Sequence, residues 1–109
     1  VHRVDEQQRQ WIHIAAVFAN NFTNHLFALS EDILKDKGMN FDILRPLIFK
    51  FIQNLHEHSP ADIQTGPAAR NDQQTIEKHL ELLKGDKNLY DIYYLLTNSI
   101  LASQNRKVV

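Results

Sequence analysis

Apolar residues return at three- and four-residue steps along nearly the whole chain, and no stretch alternates with the period of two that a strand requires. Over about residues 5–37 neither proline nor glycine interrupts, and Trp11, Ala15, Phe18, Phe22, Leu26, Leu29 and Ile33 fall on one side of a helix. Gly38 predicts its end, with Lys35 and Lys37 in the last turn, where the helix dipole favours cations. A second helix is predicted from Phe41 or Asp42 to Glu57, capped by Asn40 or Asp42, with Leu44, Leu47, Ile48, Phe51, Ile52 and Leu55 as its apolar face. Pro46, near its first turn, predicts a tight start or a slight kink. Ser59 to Asp62 has the form of a capping box with proline at the first helical position, which predicts one short turn closed by Gly66-Pro67. A third helix over about 72–84 ends at Gly85; a last one over about 88–103 carries Leu89, Ile92, Tyr93, Leu96 and Ile100 as its inner stripe. The predicted fold class is all-α: a long N-terminal helix plus three further main helices, no sheet, in a single helical domain over residues 1–109.

The length of the first helix has a consequence. Some 33 residues at about 1.5 Å each give roughly 50 Å, whereas a compact chain of this size has a diameter of only about 35 Å. The apolar stripe persists from Trp11 to Leu34, so the overhang stands in water unless another chain or domain covers it. A partner is therefore expected, most simply a second copy of the chain; the other outcome is a helix that frays or breaks near Asn20-Asn21, since asparagine is a poor interior residue. Nearly opposite the stripe, His13, Asn20 and Asn24 fall within about 40° of one another, with Asn21 at their edge and His25 beyond. An amide row is most often a solvated face. Here Ala16, Phe27 and Ala28 flank it where lysine and glutamate would be usual, and that suits a cleft wall.

Charge and composition narrow the options. The 12 basic residues nearly balance the 13 acidic ones, and neither sign gathers into a run, which argues against nucleic acid and against an anionic membrane as partner. With no cysteine there is no disulfide, thiol nucleophile or thiolate zinc site, and a cytoplasmic setting is expected. His56 and His58 are two residues apart on a helix and point to different sides, so no metal site is expected from them. The longest apolar run, residues 14–19, is far too short to span a bilayer.

The stretch TGPAARNDQQTIEKHL, Thr65 to Leu80, is the densest candidate for chemistry. It closes a connection of 14 residues, 58–71, and connections that long in compact domains tend to be functional or disordered. After Gly66-Pro67, free amides around Ala68, Ala69 and Arg70 would lead into the first turn of the third helix beside the Arg70 guanidinium, a plausible anion pocket. The plainer reading has Asn71 or Asp72 capping the helix and Arg70 paired with Asp72 or Glu77. The Asp72 charge also competes with an anion for the same amides. His79 lies on the side of Thr75 and Asp72, where it could orient a ligand or simply bond a neighbouring segment. No catalytic triad, carboxylate pair, P-loop or Gly-rich dinucleotide fingerprint is present.

HIAAVFANNFTNHLFALSEDIL, His13 to Leu34, followed by SPADIQTGPAARNDQQTIEKHLELL, Ser59 to Leu83, resembles the C-terminal helical domain called domain of unknown function 2520. In that family the domain follows an N-terminal Rossmann-like dinucleotide-binding domain, in proteins classed as NAD(P)-dependent oxidoreductases. The family is similar in architecture to pyrroline-5-carboxylate reductase, ketopantoate reductase and 6-phosphogluconate dehydrogenase, whose helical C-terminal domains form the dimer and close one wall of the active-site cleft. The resemblance covers essentially the whole chain. It implies a 6-phosphogluconate dehydrogenase C-terminal-like bundle and a homodimer, and it sets Asn21, His25, Thr65, Gly66, Arg70, Asp72 and His79 at or near the cleft as substrate or cofactor candidates. It implies NAD(P) in the full-length protein, a small anionic substrate, and a covalently linked Rossmann domain that is absent from this chain. For the chain alone no cofactor is expected, and turnover is not.

Two readings follow. In the first the chain is the dimerisation and substrate-side domain of an NAD(P)-dependent oxidoreductase, inactive alone. In the second it is a stand-alone helical adaptor whose exposed stripe binds a partner protein and whose loop is structural.

Overall fold

Helix α1, Glu6–Ala16, begins where the sequence offers a reciprocal cap: the Asp5 carboxylate accepts from the Gln8 amide at 2.7 Å, and the Gln8 side chain accepts from the Asp5 amide at 2.9 Å. The computed structural model describes residues 3–105 and 108–109. It contains helices and turns and, among the described residues, no strand. The chain divides into two compact units, Val1–Gln53 and Asn54–Val109.

In the first unit α1 runs without a break through a π-helical segment, Val17–Phe22, into α2, Thr23–Asp36. Ala16, Val17, Phe22 and Thr23 all keep right-handed helical backbone angles. The chain thus neither stops nor breaks at Asn20-Asn21; it widens there by one residue per turn, a departure common at functional positions. The Thr23 hydroxyl bridges the wider turn to the Phe18 carbonyl at 3.3 Å, and the Phe18 and Phe22 rings meet edge to face, 5.1 Å between centroids. Gly38 ends the helix as predicted. Its φ of 75° lets the Met39 amide reach the Leu34 carbonyl at 2.8 Å and its own amide reach that of Lys35 at 3.0 Å, a Schellman motif.

Asn40, not Asp42, then caps the next element, accepting from the Asp42 amide at 2.8 Å. A 3-10 turn, Phe41–Leu44, precedes α3, Arg45–Glu57. Pro46 explains that tight start: lacking an N–H, it cannot make the bond to the Asp42 carbonyl that would draw the entry into α-helical winding. No described residue of this unit is buried. Trp11, Phe18, Phe22, Leu47, Phe49 and Ile52 all keep more than half their surface in solvent.

The second unit owns a core. A 3-10 turn, Pro60–Ile63, forms where expected, but the Ser59 side chain makes no capping bond: the Asp62 amide that a capping box would offer it is taken by the Ser59 carbonyl at 3.0 Å. Helices α4, Gln73–Leu82, and α5, Lys87–Ser103, follow, capped by Asp72 and Asp86, which accept from the amides of Thr75 and Leu89, each at 3.1 Å. Ala68, Ile76, Leu80 and Leu101 form the buried cluster, with Tyr90, Tyr93 and Ile100 packed on it. Of the predicted α5 stripe, Tyr93 and Ile100 pack on this core and Leu89 and Ile92 are half-buried, but Leu96 is 42% exposed, while Thr97 and Leu101 are buried. The phase is set by α4 rather than by hydrophobicity alone, and Tyr90, Tyr93, Ile100 and Leu101 are the α5 residues that join Ile76 and Leu80.

Candidate functional site

The polar residues of the second unit sit on a loop fixed to this core. Gly66 turns with a φ of 100°, and Ala68, two residues on, is only 4% exposed. The loop then closes on itself through bonds from the Arg70 amide to the Gly66 carbonyl (3.2 Å), from Asn71 to Ala68 (3.1 Å) and from Asp72 to Pro67 (2.8 Å). Those bonds correct one expectation. The Arg70 amide is not free, because a left-handed Gly66 and a left-handed Asn71, φ 56°, wind the segment into turns that use its donors internally. Asn71 supplies this conformation rather than the cap.

Asp72 is the cap, and more than a cap. One of its oxygens accepts from the Thr75 amide, the other from the Thr75 hydroxyl at 2.7 Å. That hydroxyl bond, then the amide bond and then the Arg70 charge, hold the carboxyl below its usual range. Arg70 approaches Asp72 at 3.7 Å with its side chain 61% exposed. So long a contact leaves most of the five guanidinium donors uncommitted. Of the predicted anion pocket the Arg70 amide is spent within the loop, while the guanidinium remains exposed.

His79 faces α5. Its Nδ1 lies 2.8 Å from the Tyr93 hydroxyl, with the rings edge to face at 5.6 Å. Burial first, and then the negative charge of Asp72, push the Tyr93 phenol above its ordinary value. The sequence reading assigned Tyr93 only to the core and gave Thr75 no role of its own. A signal for Tyr93 existed, because His79 and Tyr93 lie equally far from Asp86, so a hairpin of two helices folded about that residue brings them level.

Of the seven candidate residues, then, Arg70 and Asp72 pair directly, and Asp72 bears electrostatically on the tyrosine that holds His79. Gly66 shapes the turn, and Thr65 is exposed, with its carbonyl accepting from the Gln64 side chain at 3.1 Å. In the first unit Asn21 lies in the π-helical segment and His25 on α2, both exposed. A cavity of about 360 Å³ in the second unit is lined by other residues, among them Glu77, Lys84 and Tyr90. Among the described residues no three histidines or carboxylates group closely enough to hold a metal ion, and no helix is long and apolar enough to cross a membrane.

An all-helical chain with this capped loop and helix pair belongs to the family described as domain of unknown function 2520, whose pattern matches residues 1–100. It is similar in structure to the "putative NADP oxidoreductase" of Bacteroides fragilis, with 42% identity, a TM-score of 0.87 and 91% of this chain covered. The chain spans 38% of the length of that protein, and so corresponds to a domain of a larger one. No curated protein matches it.

Proposed function

We propose that this chain is the substrate-side and dimerisation domain of an NAD(P)-dependent oxidoreductase, folded as one helical domain over residues 1–109 and inactive by itself. The observation that carries this reading is the likeness over nearly the whole chain to part of the Bacteroides fragilis protein. The residues present do not fit a dinucleotide: the chain has three glycines, and none builds a phosphate-cradling Gly-rich turn. A Rossmann-like domain elsewhere in the full-length protein would hold the cofactor, which would supply or accept the hydride.

This chain's own part is binding and orientation. Arg70, exposed and loosely paired, holds an anionic group of a small substrate. Asn21 donates or accepts a hydrogen bond from its amide, and His25 or His79 orients the substrate or passes a proton. The exposed stripe of Trp11, Phe18 and Phe22 meets a second copy of the chain. The test joins the chain to its dinucleotide-binding domain and compares turnover of the parent with Arg70→Ala and Asn21→Ala. Loss of a charge-assisted bond is expected to raise KM about 10- to 100-fold for Arg70→Ala. Unchanged kinetics in both variants reject the assignment.

A further inference from the structure

Residues 47–52 of α3 read Leu-Ile-Phe-Lys-Phe-Ile. Five apolar side chains in six positions spread over about 200° of the helix circumference, twice the stripe of about 100° that a surface helix carries. A helix so widely apolar is covered from more than one side, yet no residue of α3 is buried. Leu47, Phe49, Phe51 and Ile52 keep between 45% and 66% of their surface in solvent. The long helix of the same chain does not shield them. The 3-10 turn Phe41–Leu44 packs on α2, but among the described residues α3 makes no close backbone approach to α1, the π-helical segment or α2. The long helix is open in turn, with Trp11, Phe18, Phe22, Leu26 and Ile33 between 37% and 65% exposed. At about 200 Å² for a large apolar side chain, the four α3 residues leave about 450 Å² in water and the five of the stripe about 500 Å². The two open surfaces are matched in area, and their total exceeds the area of about 800 Å² that each partner contributes to a standard stable interface. One two-fold axis covers both at once, because where α3 of the first copy lies on the long helix of the second, the reverse contact follows.

We infer that α3 is the exchanged element of the dimer: residues 47–52 of each copy lie against the stripe from Trp11 to Ile33 of the other. The inference rests on the dimer reading above and adds to it which helix meets the stripe. A dimer in which the two long helices pair only with each other would leave the more widely apolar helix of the chain in water.

The test replaces Phe49, the more exposed aromatic of α3, by photoreactive p-benzoylphenylalanine. An equal mixture of ¹⁴N- and ¹⁵N-labelled chains is irradiated, so that cross-linked peptides of mixed isotope report contacts between copies. Cross-links from position 49 into residues 11–33 of the other copy are expected. Cross-links that run to α3 of the other copy, or that stay within one copy, overturn the exchange. Because the larger ring perturbs the interface it reports, Leu47→Ala is measured beside it by sedimentation equilibrium. That variant is expected to raise the dimer Kd about 10- to 100-fold, with helix content retained by circular dichroism. A Kd equal to the parent's overturns the exchange. The two readings fail separately: a parent chain that dimerises while position 49 never reaches the other long helix rejects the exchange and leaves the dimer, whereas a parent chain monomeric at about 100 μM rejects both.

Discussion

Phe18→Ala tests the proposed dimer at its most exposed aromatic. The Phe18 ring keeps 65% of its surface in solvent, which for a side chain of about 200 Å² is about 130 Å². Covered fully by a partner, that area is worth about 3 kcal/mol at 25 cal/mol per Å². A two-fold dimer carries the residue twice, and half coverage on each side still leaves about 3 kcal/mol, or about two orders of magnitude in Kd. The folded monomer loses little. Phe18 has its ring contact with Phe22 at 5.1 Å, an aromatic pair of about 0.5–1.5 kcal/mol, and alanine is the better helix former. Helix content should therefore hold while association weakens. Sedimentation equilibrium of the parent and of Phe18→Ala across a hundredfold range of concentration reads the difference. A parent chain monomeric at about 100 μM, or a variant that associates as tightly as the parent, refutes the reasoning.

Two further outcomes concern the second unit. Ile76 is fully buried between the loop and α5, so Ile76→Ala should cost about 2–5 kcal/mol, read as a lower denaturant midpoint. Asp72 has its folded-state pKa lowered by the Thr75 hydroxyl and amide, so its contribution is complete above the unfolded value of about 3.9 and is lost as pH falls toward the lower folded value. Asp72→Asn should flatten that acid limb, measured by thermal melts from pH 7 down to about pH 2; a slope identical to the parent's contradicts the pairing.

The helices were largely legible because their stops are chemical. Gly38 had to take a left-handed conformation to end α2, and it does. The π-helical segment was not legible: Asn20-Asn21 marked a weak point in the helix, yet whether a weak point frays, breaks or widens depends on contacts such as Thr23 to Phe18 that repeat no periodic pattern. The α5 stripe was legible in part: Tyr93 and Ile100 pack on the core as the pattern indicates, and Leu96 does not. Leucine outranks threonine on any hydrophobicity scale, but Thr97 is buried and Leu96 is 42% exposed because α4 chooses the face. At the candidate site, Arg70 and Asp72 were readable as charges near a helix start, whereas the internal use of the Arg70 amide required two left-handed residues that only the folded turn reveals.

That turn also changes what the loop is for. A 14-residue connection suggested a functional or a disordered segment, and Ala68 is inserted in the core that holds Ile76, Leu80 and Leu101, while three backbone bonds close the residues around it. Arg70 therefore leaves from a backbone held in place, two residues beyond a buried anchor, while its charged end stays exposed. The entropy of ordering the loop is lost on folding, so under the proposed anion-binding role only the side chain's own rotamers would remain to be fixed. Asp72 completes the arrangement by committing its oxygens to Thr75. Engaged as a helix cap, the carboxylate stands 3.7 Å from Arg70, and this long contact leaves most of the guanidinium donors open for the anion proposed above.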